Sequence, residues 1–163
     1  MKSLLIIITL FVFTLTGSAQ LTTSRQCPPV SIYILKGTIN NVGPNFTPGQ
    51  IKLALPCFTS EVTEADSSKC GGLISYGDDD MYFYTGRDYI ELREKFKGKM
   101  EFPLMGATRT SLFGWLGYPK IKDTKWESFQ TAYGILELHF NAEIKVNLIQ
   151  FSTKGAESLK LCE

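Results

Sequence analysis

A single histidine, His139, serves a chain of 163 residues, and that scarcity removes much catalytic chemistry at the outset. A hydrolytic triad needs an imidazole beside a nucleophile, yet His139 lies inside an alternating apolar run and no Gly-x-Ser-x-Gly elbow occurs elsewhere. The cysteines are four, none in C-x-x-C spacing and all at least 22 residues from His139, which argues against a zinc site. No Gly-rich loop runs into Lys-Ser or Lys-Thr, and no dinucleotide fingerprint is present. Charge of one sign is lacking as well: Lys and Arg number 17 against 16 Asp and Glu, and removal of Lys2 with the leader described below would bring the balance to zero. Nothing basic recommends nucleic acid as a partner. No apolar stretch attains the ~20 residues that cross a bilayer, so the mature chain is not expected to insert in a membrane. Catalytic residues, metal and cofactor are therefore left unassigned.

What is present starts with Met1-Lys2, an apolar run from Leu4 to Leu15, and the small residues Gly17-Ser18-Ala19 before Gln20. That order of charged, apolar and small-residue regions predicts a signal peptide over 1–19, cleaved near Ala19 and Gln20, and a single secreted or periplasmic α+β domain over 20–163. No cysteine stands at the cleavage point to carry a lipid. In an oxidising compartment the even count of Cys27, Cys57, Cys70 and Cys162 predicts two bridges. Three pairings are open; Cys57 with Cys70, closing a short polar loop, and Cys27 with Cys162, tying the ends, is the preferred one. About 44% apolar residues and 20% charged suit a packed core.

Val30 to Leu35 has the β-branched and aromatic content of a strand, and Ile51, Leu53 and Leu55 alternate with Lys52 and Ala54 as in a short half-buried strand ending at Pro56. Leu73 to Tyr76 and Met81 to Thr85 flank Gly77-Asp78-Asp79-Asp80 and read as a hairpin. The three aspartates lack the spacing of a calcium loop, and turn chemistry accounts for them. Residues 88–97 fit a helix or a strand, with a lean to a strand continuing the meander. Thr108 to Leu116, stopped by Gly117 and Pro119, reads as a short helix capped near Thr108 or Thr110. Tyr133 to Phe140 and Ile144 to Phe151 read as two alternating strands about a polar turn, with Ile144, Val146 and Leu148 on one face. The sum is an antiparallel meander, disulfide-braced, with one or two short helices packed on one face.

From Pro103 to Thr153, Gly106, Leu116, Gly117, Pro119, Tyr133 and Phe140 set out a helix, a Leu-Gly-x-Pro turn and a strand pair. This pattern resembles the small outer-membrane assembly lipoproteins SmpA or BamE and the related modules of beta-lactamase inhibitory proteins. The resemblance implies a non-enzymatic domain that binds another protein through the open face of its sheet; the anchoring cysteine of the lipoproteins is missing here.

The aromatic residues lead to the same class of function. Tyr and Trp dominate protein interfaces, and strand alternation puts Tyr82 and Tyr84 on one face with Phe83 on the other. Tyr82, Tyr84 and Tyr76 are the candidate binding residues, for an unknown protein or cell-envelope partner. The alternative is a small secreted hydrolase acting through the carboxylates of Asp78 to Asp80, which requires a concave pocket around them.

Overall fold

In a computed structural model, residues 27–63 and 70–162 are described. The expected signal peptide and its cleavage point fall outside them.

Among the described residues eleven strands form two sheets, accompanied by two helices. Strands β1 (Ser31–Tyr33), β2 (Thr38–Ile39) and β7 (Lys99–Met100) form the smaller one, in the order β2-β1-β7. The larger one is antiparallel throughout: β3 (Ser60–Val62), β4 (Leu73–Tyr76), β5 (Met81–Tyr84), β6 (Tyr89–Arg93), then β11 (Val146–Ser152), β10 (Ile135–Phe140), β9 (Trp126–Gln130) and β8 (Ile121–Lys122). Helix α1 is Pro48–Ala54 and helix α2 is Arg109–Leu116. The stretch from Pro103 to Thr153 thus contributes α2 and four strands of the large sheet.

Register fixes the two faces. Ile74, Phe83, Ile90, Phe151, Leu136 and Phe129 stand opposite one another across six strands, and Tyr76, Met81, Leu92, Ile149 and Leu138 form the next line on the same side. Both helices and the small sheet cover this inner face, through Ile51 of α1 and Leu55 that caps it, Leu112 of α2, and Ile32 and Ile39 of the small sheet, all in one apolar cluster. Burial of such side chains at about 25 cal/mol per Å² supplies the main favourable term of folding. Gly37 has φ +64°, and a Cβ there would lie 2.5 Å from the Tyr133 ring, so only glycine lets the small sheet's turn meet that ring.

Three expectations need correction. Residues 51–55 are the end of a helix, not a strand: Thr47 and Gln50 form a capping box and Pro48 occupies the first turn, where its missing N–H costs nothing. The apolar residues then obey helical spacing, Ile51 and Leu55 buried while Leu53 is 86% exposed. On β11 simple alternation fails because His139 pairs with Leu148 but Phe140 pairs with Val146, leaving Asn147 as a bulge. Val146 and Ile149 consequently share the inner face and Leu148 takes the outer, and Ile144, at φ +60°, belongs to the turn.

The third correction is the disulfide pairing: Cys27 joins Cys57 and Cys70 joins Cys162, with Cα separations of 5.6 and 5.1 Å. Cys57 lies three residues before Ser60 and Cys70 three before Leu73, and in the β3–β4 pair Ser60 faces Ser75 while Leu73 faces Val62. The two cysteines therefore approach that hairpin from opposite ends and cannot meet. Residues 88–97 resolve as β6 and the turn after it, and the 77–80 link is a 3-10 turn that ends with Asp80 at φ +53°.

Candidate functional site

The outer face of the large sheet is where the chain's polar side chains converge. One line across it reads Ser75, Tyr82, Glu91, Gln150, Glu137 and Ser128, each directly opposite the next on successive strands. Arg93, Leu148, His139 and Trp126 form the line beside it. Opposed residues of antiparallel strands have Cβ atoms ~4.5–5.5 Å apart, close enough for side chains to bond laterally.

They do so in an ordered way. Arg93 pairs with Glu91 through its Nε, lays its guanidinium 4.2 Å from the Tyr82 ring centroid, and extends a terminal nitrogen to the Tyr84 hydroxyl at 3.4 Å. Gln150 Nε2 donates to Glu91 Oε2 at 2.8 Å. A carboxylate only accepts, so this bond fixes the orientation of the amide and turns Gln150 Oε1 toward His139 Nε2, 3.0 Å away. His139 must then donate from Nε2, which sets the neutral tautomer. Burial holds its imidazole below the ordinary 6.5, against the opposing pull of the Gln150 bond and the Glu91 charge.

Glu137 is the exception in this line. It is 9% exposed, and no described residue gives it a hydrogen bond or an ion pair. Burial raises its carboxyl above the ordinary 4.5, with no cation nearby to offset that. Opposite it, Ser128 is fully buried and its Oγ has no partner.

These two groups give a pH prediction. A carboxyl whose folded pKa is raised binds more protons folded than unfolded, so stability falls as pH rises above 4.5 toward the raised value. His139 acts in the reverse sense: its lowered folded value makes stability rise with pH up to 6.5. The two slopes oppose each other between those limits. Glu137→Gln should therefore show stability climbing more steeply with pH across that window than the parent chain, checked by urea unfolding at a series of pH values; unchanged slopes would refute the assignment.

Of the three tyrosines expected to form a contact surface, Tyr82 and Tyr84 do share the outer face, but Tyr84 is buried and stacked on Tyr89 at 4.3 Å. The C-terminal segment covers that end of the face: Cys162 donates its backbone N–H to the Tyr89 hydroxyl at 3.0 Å, beside the Cys70–Cys162 bridge. Tyr76 points inward, buried in the core, and donates its hydroxyl to Leu55 O at 2.7 Å. Only Tyr82 of the three offers surface, because face parity alone does not tell which side is packed. Strand patterning does not gather Glu91, Arg93, Glu137, His139 and Gln150 into a group; the signal it carries is a charged or polar residue at alternate positions of each apolar strand.

The acidic turn is built differently from a hydrolytic site. Asp80 accepts from the Lys95 backbone N–H at 2.9 Å and from the Tyr82 hydroxyl at 3.2 Å. Asp79 borders a cavity of about 20 Å³ between the Cys27–Cys57 bridge and Tyr76, room for a single water and no substrate.

A second surface feature lies at the sheet's edge, where Phe113 and Tyr118 are exposed and in edge-to-face contact at 4.6 Å, above a cavity of about 180 Å³ between α2 and β8–β9. Its one arginine is committed to structure. Arg109 donates to Asp123 O and Thr124 O at 2.7 and 2.6 Å, lies 3.4 Å from Glu127 Oε1 and stacks on Phe140.

No protein-family model, curated protein or solved structure matches this chain. Among the described residues no helix is long and apolar enough to cross a membrane and no group of three or more potential metal ligands occurs.

Proposed function

We propose that this is a secreted or periplasmic, non-enzymatic binding domain that meets a protein or cell-envelope partner through the outer face of its large sheet. Two disulfides and the apolar leader of the sequence support the compartment. One observation carries the binding reading: Tyr82 and Arg93 are stacked and locked in place by Glu91, Gln150 and Asp80 while both still reach the surface. Aromatic and arginine side chains are the usual anchors of interfaces, and anchors held in their bound geometry lose little entropy on association. The contact area is the part of this face whose side chains still reach solvent, Tyr82 and Arg93 with Leu148, His139 and Trp126, around the buried Glu91, Gln150, Glu137 and Ser128. The resemblance of residues 103–153 to the SmpA or BamE modules points to the same kind of contact. The hydrolytic alternative has no comparable support, since the Asp78 to Asp80 carboxylates sit on a turn and not in a cleft.

A photo-reactive phenylalanine placed at Tyr82, and in a second variant at exposed Leu53 on α1, tests this. Irradiation of the exported protein in its native envelope fraction should give a discrete adduct from position 82 and none from position 53. Adducts from position 53 alone would overturn the reading.

A further inference from the structure

We infer that this domain associates head to tail with a second copy of itself, the free edge of β3 in one molecule pairing antiparallel with the free edge of β8 in the next, Glu61 opposite Lys122 and Val62 opposite Ile121.

The large sheet ends on these two strands, and among the described residues no strand pairs with the far side of either. Every residue of both is exposed. An open edge presents backbone groups that a further strand can bind. The strand count settles direction: eight strands, antiparallel throughout, make β3 and β8 run opposite ways, so a copy added edge to edge continues the same order.

Hydrogen-bond parity then selects the register. Asp123 donates its backbone N–H to Trp126 O at 2.9 Å, which makes Lys122 and Glu127 a non-hydrogen-bonded pair; the N–H and C=O of Lys122 therefore point away from β9. At the other edge Ser75 O accepts from the Thr59 N–H at 2.7 Å, and Gly72 O accepts from the Thr85 N–H at 2.9 Å. Ser75 thus turns its backbone groups toward β3, while Ile74, in phase with Gly72, turns its own toward β5. Glu61 is paired with Ile74, so its N–H and C=O point outward. Glu61 and Lys122 are the outward residues of their strands, and set opposite each other they exchange both bonds.

The side chains agree with that register. Glu61 lies opposite Ile74, and Lys122 opposite Glu127 and, one strand on, Leu138, so both project on the helix-covered side of the sheet with opposite charges. The Glu61 carboxylate accepts from Lys52 Nζ at 2.9 and 2.8 Å and keeps lone pairs for a second ammonium. Val62 and Ile121, each 37% exposed, meet on the other side as a β-branched pair. A slip of one residue would set Glu61 against Ile121 and put matched side chains on opposite faces.

Such a contact is heterologous: it leaves a free β3 at one end and a free β8 at the other, and growth is open-ended. Edges of three and two residues bury little surface, so the association is weak and concentration-dependent. It uses neither Tyr82 nor Arg93, and stands or falls apart from the proposed partner surface.

Sedimentation equilibrium of the full domain over a concentration series tests it. The mass of the parent is expected to rise with concentration past that of a dimer. Proline at an outward edge position removes the N–H a neighbour needs and spares the strand's own ladder. Glu61→Pro and Lys122→Pro should each stay monomeric. Mixed in equal amounts they should form a dimer and stop there, because the intact β8 of the first meets the intact β3 of the second and the two proline edges cannot extend. Charge reversal is the second arm: Glu61→Lys and Lys122→Glu should each weaken association by about tenfold or more, and the double variant should restore it. Should a proline substitution lower the unfolding midpoint, the charge-reversal set decides alone. A parent that is monomeric at every concentration, well-folded proline variants that associate as the parent does, or a double reversal no stronger than the single ones would overturn the inference.

Discussion

Converting Cys70 and Cys162 to serine is expected to lower the unfolding free energy by about 4–5 kcal/mol, and converting Cys27 and Cys57 by about 3.5 kcal/mol, from the chain-entropy relation between bridge and loop length. The first bridge closes a separation of 92 residues and the second one of 30. Denaturant unfolding without reductant checks both the sizes and the order. The Cys70–Cys162 variant carries a further consequence: with the tail released, the Cys162 N–H that satisfies the Tyr89 hydroxyl is lost. Equal destabilisation of the two variants, or recovery of a Cys57–Cys70 bridge by peptide mapping of the parent protein, would contradict the connectivity.

Replacing Phe151 by alanine should cost about 3–5 kcal/mol, the range for emptying a large aromatic site in a packed core. Phe151 is fully buried at the centre of the inner face, between Ile90 and Leu136 in register and edge-on to Tyr133 at 6.4 Å. Helices and small sheet close over that face, so neighbours cannot collapse into the gap without moving whole elements. Tyr118→Ala, by contrast, alters a side chain that is 83% exposed and should stay within about 0.5 kcal/mol of the parent. A small change for Phe151→Ala in the same unfolding experiment would mean that the inner face is not the core.

Much of this scaffold was legible in the sequence because its signals are local. The β4–β5 hairpin declares itself through two apolar-aromatic runs around Gly77-Asp78-Asp79-Asp80, and α2 through Thr108, helical spacing and Gly117. Helix α1 reads as a strand in the sequence because five residues of alternating pattern outweigh the capping box just before them. The Asn147 bulge left no mark in composition, yet it reverses the side of every β11 residue before it. The polar line was hidden for a different reason. Tyr82, Glu91, Gln150, Glu137 and Ser128 come from five strands, and β6 pairs with β11 across some 60 residues of chain, joining Glu91 to Gln150. Period-2 alternation tells which residues of one strand share a face; it is silent on which strands are neighbours. Tyr76 and Tyr84 were drawn into the expected contact for the same reason, since exposure depends on what packs above the sheet.

The competing claim on a partner is the Phe113 and Tyr118 corner, which is more apolar and more exposed than the Tyr82 end of the outer face. Exposed rings of that kind also mark interaction sites. The decisive measurement is the affinity of the photo-captured partner for purified Tyr82→Ala and for the Phe113→Ala, Tyr118→Ala double variant, at matched unfolding midpoints. Loss of about tenfold or more for Tyr82→Ala, with the double variant close to the parent, is the predicted result. An unaffected Tyr82→Ala beside a collapsed double variant would place the contact at the sheet's edge and contradict the account.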